Sequence, residues 1–193
     1  MTDTRTKILK AASALFLEGG SAALSVRAIA ARAEMSTIGI YSHFKGKQGI
    51  LDALYTQAAE MASAAMDVQQ AGLSPRDIMM TAARNYIVLS ETNEAHYRLF
   101  FGESDPGYTP SPEAQKAGFE AFGKLLEQTA FVLPQDTAPE EVRDTALTIW
   151  ALMHGFFGLR NHAGADKLRV ESWRGLTLDA MSNHIDALLA RKD

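Results

Sequence analysis

The chain has 193 residues, 47% of them hydrophobic, no cysteine and a formal net charge of -4. That length supports one or two small cores and not three, and the lack of cysteine excludes disulfides, thiolate metal sites and cysteine nucleophiles and fits a reducing compartment. Asp3, Arg5, Lys7 and Lys10 break up the start of the chain as a signal peptide would not, and no run reaches the roughly 18 apolar residues of a membrane span, so a soluble, cytoplasmic protein with no membrane partner is expected.

Almost every segment reads as helix. Over residues 4–18, Ile8, Ala12, Leu15 and Phe16 share one apolar face, and Gly19-Gly20 ends the pattern. Ser25 is a fitting cap for a short second helix in which Val26, Ile29 and Ala30 point inward. A tight turn at Ala33-Glu34-Met35 follows. Ser36 then caps a third short helix running to about Tyr41, and Phe44 closes the small core. Lys45-Gly46-Lys47 is a turn. A long helix over about 47–70 begins there, with Ile50, Leu51, Leu54 and Tyr55 on one stripe.

Further on, Ser74 caps and Pro75 opens a helix to about Glu91. Asn93 is expected to cap a shorter one through Tyr97, Phe100 and Phe101. Glu103 to Pro112 reads as a loop, 113–131 as a helix, and Pro139 starts a long helix to about Asn161. Gly164 to Arg174 is mixed, and Thr177 is the expected cap of a last helix over about 178–191. No strand or internal repeat is evident. The expected fold is all-α, about nine helices, divided into a helix-turn-helix domain at 1–47 and a second helical domain at 48–193.

Charge is uneven along this plan. Residues 1–47 hold seven basic and three acidic side chains, +4, while the remainder holds twelve and twenty, -8. Phosphate affinity depends on charge at the contact surface, so a basic head on an acidic body suits a protein that meets DNA with one end.

The segment 25–44, SVRAIAARAEMSTIGIYSHF, carries the function. Two short helices joined by a tight turn dock as a helix-turn-helix, whose second helix enters the major groove. Val26, Ile29, Ala30, Ile40 and Phe44 can hold that helix rigid, and Ala30 and Ala33 let the two helices cross closely. Ser36, Thr37, Tyr41, Ser42, His43 and Lys47 supply polar groups.

An amphipathic first helix, then S-V-R-x-I-A-x-x-A, a capped short helix ending Y-x-H-F, then K-x-K and a long apolar helix resembles the N-terminal domain of the TetR family of bacterial transcription regulators. The likeness spans about residues 4–55 without a gap. It implies that Ser25 and Arg27 approach the phosphate backbone and that Ser36 and Thr37 sit at the start of the recognition helix. Tyr41, His43 and Lys47 would contact phosphates. Ile38-Gly39 departs from the family pattern of a small residue followed by threonine, so Gly39 offers no side chain and base readout leans on Thr37.

In the body, Tyr86, Tyr97, Phe101, Phe122, Trp150 and His154 are the candidate lining of an apolar effector cavity, with His154 and the tyrosines as its polar groups and Arg84 within the same stretch. The alternative for each is a packed core residue. Trp150 to Gly155 and Tyr97 to Gly102 are similar to the "WHG" subgroup of the family. The resemblance implies a homodimer through about 139–161 and 178–191, where Leu178, Met181, Ile185, Leu188 and Leu189 form a stripe that faces either a partner or the chain's own body. It also implies a small apolar effector that moves the fourth helix and releases a palindromic operator.

Against an enzyme, there is no H-E-x-x-H, phosphate loop or G-x-S-x-G, and the five histidines lack metal-ligand spacing. No catalytic residue, metal or cofactor is expected. The competing reading is a helical protein-interaction module without DNA binding.

Overall fold

A computed structural model describes residues 4–101, 107–161 and 172–190. Among them the chain forms nine α-helices and no strand: α1 (Thr4–Gly19), α2 (Val26–Arg32), α3 (Thr37–His43), α4 (Lys47–Met66), α5 (Pro75–Thr92), α6 (Glu94–Phe100), α7 (Pro112–Val132), α8 (Pro139–Arg160) and α9 (Trp173–Leu189). None of the described helices is long and apolar enough to cross a membrane.

The helices gather into two compact units. One comprises Met1–Met61 with Thr92–Glu120, the other Ala62–Glu91 with Ala121–Asp193. Helices α4 and α7 therefore contribute to both.

The first unit is built on Ile8, Ala12 and Phe16 of α1, Ile29 and Ala30 of α2, Ile40 of α3, and Ile50, Leu51 and Leu54 of α4, all buried. Leu24, Ala33 and Phe44 fill the corners, and Ala95 and Leu99 of α6 complete the same cluster. Ile40 is wholly buried although Thr37, Ile38, Tyr41, Ser42 and His43 of the same helix are exposed. Truncating such a side chain to alanine costs about 2–5 kcal/mol. Gly20, at φ +62, ends α1 by leading the chain into a 3-10 turn over Gly20–Ala23.

The second unit ties α5 to α9 at two places. Arg76 Nε donates to Asp186 Oδ1 at 2.7 Å and its Nη2 to Ser182 Oγ at 2.6 Å. Arg174 forms a two-pronged pair with Glu91. The Asp186 carboxyl is held below its usual range, chiefly by the hydrogen bond from Arg76. Ile149, Met153 and Phe157 of α8 and Met181, Ile185 and Leu188 of α9 are buried in this unit's core.

Several local expectations are corrected. Thr177 does not cap the last helix: α9 begins at Trp173, and Thr177 lies inside it, buried, donating to the Trp173 carbonyl at 2.7 Å. The buried Trp173 ring packs edge-on to Phe157, centroids 6.3 Å apart, which anchors the extra turn. Asn93 precedes α6 without a capping side-chain bond and donates instead to Thr92 Oγ1 at 2.9 Å. The fourth helix stops at Met66 rather than near 70. The expected loop at 103–112 is described from Gly107 onward, whereas most of the mixed segment at 164–174 lies outside the described residues. Gly107–Ser111 is non-helical, and Pro112 opens α7.

Candidate nucleic-acid interface

Helix α3 is fixed from both ends. At its start, Ser36 Oγ accepts from the Gly39 backbone N–H at 3.1 Å, as Ser25 Oγ does from Ala28 at the start of α2. Each bond satisfies one of the N–H groups that a helix start leaves open. At its end, Arg5 Nη1 donates to the His43 carbonyl at 2.8 Å, while the same guanidinium stacks 4.3 Å above the Phe44 ring. Arg5 is not legible as a structural residue in the sequence. There it is one more cation of a basic head, and its role depends on a contact 38 positions away.

Between these ties the polypeptide turns outward. Thr37, Ile38, Tyr41, Ser42 and His43 are exposed, with Ile38 at 79% and Tyr41 at 61%. Ser25, Ser36 and Arg27 are exposed or half-buried, and so is Lys47. All seven residues proposed from sequence for DNA contact thus belong to the first unit and reach its surface. The Ser25 and Ser36 oxygens accept from the backbone as caps, which leaves each O–H free to donate, whereas the neighbouring Ser42 hydroxyl already donates to the Gly39 carbonyl at 2.8 Å.

The cations of the head divide in the same way. Arg32 grips Glu18 with two bonds of 2.8 and 2.6 Å, and Lys7 lies 3.4 Å from Glu34. Hydrogen bonding to Arg32 lowers the Glu18 pKa below the usual carboxylate range. Lys10 and Lys45 are exposed.

The six residues expected to line an effector cavity fall into two groups. Tyr97 and Phe101 lie in the first unit. Their rings sit 4.6 Å apart, Phe101 meets Phe100 at 4.6 Å, and Phe100 meets Tyr55 at 4.7 Å. In sequence Tyr55 is only part of an apolar stripe; burial raises its phenol pKa. Tyr86, Phe122, Trp150 and His154 lie in the second unit, where the Phe122 and Trp150 centroids are 5.6 Å apart and Tyr86 is buried. Burial pushes the half-buried His154 imidazole below its ordinary value. Arg84 is exposed.

Comparison with known proteins agrees with this architecture. Residues 8–54 match the model for bacterial regulatory proteins of the tetR family, and residues 79–174 match that for a "Tetracyclin repressor-like, C-terminal domain". No curated protein sequence matches significantly. Among solved structures, a protein of unknown function from Rhodococcus sp. RHA1 is 22% identical, with 98% of this chain and 97% of that one covered and a TM-score of 0.79. A tetR-family regulatory protein from Rhodococcus RHA1 is 18% identical over 97% and 98% of the two chains, with a TM-score of 0.73. A single-substitution variant of TetR from Acinetobacter baumannii AYE, in complex with minocycline, is 16% identical over 100% and 99%, with a TM-score of 0.67. With both family models together accounting for most of its length, the chain belongs to the TetR family of bacterial transcriptional regulators.

Proposed function

We propose that this regulator is a repressor that binds a palindromic operator as a homodimer and leaves it when a small apolar effector binds. The observation that carries the DNA-binding part is the two-sided character of α3: Ile40 is fully buried while Thr37 and Tyr41, one turn apart, stand in solvent. A rigid helix with its polar side outward is what the major groove admits. Ser25, Arg27, Tyr41, His43 and Lys47 make the phosphate contacts, and Ser36 and Thr37 lie at the recognition helix's leading end. The head at 1–47 binds DNA, and 48–193 senses the effector and dimerises.

The dimer surface lies along α8 and α9, within about 139–161 and 178–191. The stripe Met181, Ile185 and Leu188 is committed to the chain's own core, so the partner meets the opposite face. Leu147, Ala151, Gly155, Gly158 and Leu159 of α8 are exposed at helical spacing, and Leu176 of α9, just ahead of the second range, is exposed as well. A Cβ on Gly155 or Gly158 would meet nothing among the described residues, which leaves room for close helix approach. Two heads joined in this way can address half-sites about 34–36 Å apart or a multiple of that spacing.

The effector site draws on Tyr86, Phe122, Trp150 and His154 of the second unit, an apolar set with few polar groups. A structural neighbour that holds minocycline supports a small-molecule effector of some kind. Effector binding favours the form with lower DNA affinity, and its differential affinity for the two forms sets the release.

The test is selection of bound duplexes from a random library, followed by titration of the enriched operator complex with candidate apolar compounds. Enrichment of an inverted repeat and its release at saturation by one compound support the reading. Enrichment without symmetry removes the palindrome. Unchanged affinity across a broad compound set at saturation removes the coupling.

A further inference from the structure

Helix α3 exposes one large aliphatic side chain, and the fold gives no reason for it. Ile38 is 79% exposed, directly after Thr37 and directly before Gly39. A β-branched residue adds nothing to helix propensity relative to alanine, and Ile38 is absent from the buried cluster that holds α3 in place. Nor does it belong to a broad sticky surface. The other large exposed hydrophobics described in residues 4–61 are Leu17 on α1 and Tyr41, far short of the several hundred Å² of a protein-docking patch.

The neighbours of Ile38 narrow its role. The Ser36 oxygen, ahead of the helix, accepts from the Gly39 N–H, and the Ser42 hydroxyl donates to the Gly39 carbonyl. Gly39 has no side chain, and a Cβ there would press on Met35 Cε at 3.3 Å. The leading half of the helix thus offers one polar side chain at its surface, Thr37, with a bare aliphatic branch beside it. In the major groove, the apolar feature that distinguishes one base pair from another is the 5-methyl group of thymine.

We infer that Ile38 is a specificity-determining residue that packs on a thymine 5-methyl group, so that each operator half-site carries a thymine at that step. This rests on the DNA-binding reading above. Gly39 brings no side chain of its own to the groove, and the base that Ile38 selects is chosen by apolar contact rather than by hydrogen bonds.

The experiment uses the full-length chain and the duplex enriched by random selection. Each thymine is replaced in turn by deoxyuridine, which keeps every hydrogen-bonding group and removes only the methyl. The expected result is a loss of about fourfold in affinity at one thymine per half-site, equivalent to about 0.8 kcal/mol for one buried methyl-sized group. In Ile38→Ala, which removes an exposed side chain and should fold normally by circular dichroism, thymine and deoxyuridine duplexes should bind equally. A wild-type protein indifferent to every replacement overturns the proposal while leaving DNA binding intact. So does an Ile38→Ala variant that keeps the wild-type discrimination. If no duplex is enriched at all, the DNA-binding reading itself fails and this one fails with it.

Discussion

The ring of Tyr41 rests on Gly46: a Cβ added to Gly46 would stand 3.1 Å from Tyr41 Cε1. Gly46 also holds φ +87, a left-handed conformation that glycine adopts without strain. The turn between α3 and α4 therefore supports the exposed tyrosine from beneath, and both demands fall on one residue. Gly46→Ala should destabilise the chain by about 1 kcal/mol or more, measured by urea unfolding. In the Tyr41→Ala background part of that cost should disappear, because the ring contact is gone. Equal costs in both backgrounds would show that backbone conformation alone is at stake.

A second turn carries strain that can be relieved. Glu34, between α2 and α3, is the one non-glycine residue with positive φ among those described, at 52°. Its ion pair with Lys7 is exposed and contributes little. Glu34→Gly should therefore raise stability by about 0.5–1 kcal/mol, seen as a higher urea midpoint with unchanged slope. A lower midpoint would mean that the Lys7 pair outweighs the strain.

The contrast between these two turns shows what is legible in the sequence. Ser25 and Ser36 are readable as caps because capping is decided within three residues. Ile40 and Phe44 are readable as core because helical periodicity sorts faces. Tyr41 on Gly46 is not, although the Lys45-Gly46-Lys47 turn is, because a turn's existence is local and its contacts are not. The attachment of α6 to α1 through Ala95 and Leu99 escapes a sequence reading for the same reason, joining residues some 80 or more positions apart. Thr177 misleads because a good capping residue inside a helix looks the same in sequence as one at its start. The burial of Trp173 that decides the boundary depends on Phe157. The candidate DNA-contact residues are local features of one motif, whereas the aromatic candidates depend on how distant helices pack.

Asp52 draws the segment before α7 onto α4. Its Oδ1 accepts from Tyr108 Oη at 2.9 Å and from the Ser111 backbone N–H at 3.1 Å, and Gln48 Nε2 donates to the neighbouring Thr109 carbonyl at 2.9 Å. Burial, then the Asp52 hydrogen bond and charge, holds the Tyr108 phenol far above its ordinary value. Tyr108→Phe should cost about 1 kcal/mol. Asp52→Ala should cost more, because it also leaves the Ser111 N–H at the start of α7 without its partner. Thermal or urea unfolding of the two variants checks the order; a reversed order would assign the attachment to packing of the tyrosine ring.

Stability should fall in mild acid. Burial lowers the pKa of His96, whose Nε2 lies 3.2 Å from Gln57 Oε1, and His154 is shifted in the same direction. The unfolded chain accepts a proton at these positions that the folded chain resists. Their contribution is therefore complete above about pH 6.5 and is lost as pH falls through that value toward the folded pKa. His96→Gln should flatten part of the slope of unfolding free energy against pH below about 6.5. An unchanged slope would place the effect elsewhere.

The central claim is that α3 presents its exposed side to duplex DNA. It is tested most directly by measuring affinity for the selected operator across a salt series, for the wild type and for Lys47→Ala and Thr37→Ala. Wild-type affinity should fall steeply as salt rises. Lys47→Ala should bind more weakly with a slope reduced by about 1, and Thr37→Ala should lose affinity with its slope unchanged. Affinity independent of salt, or identical curves for all three proteins, would contradict it.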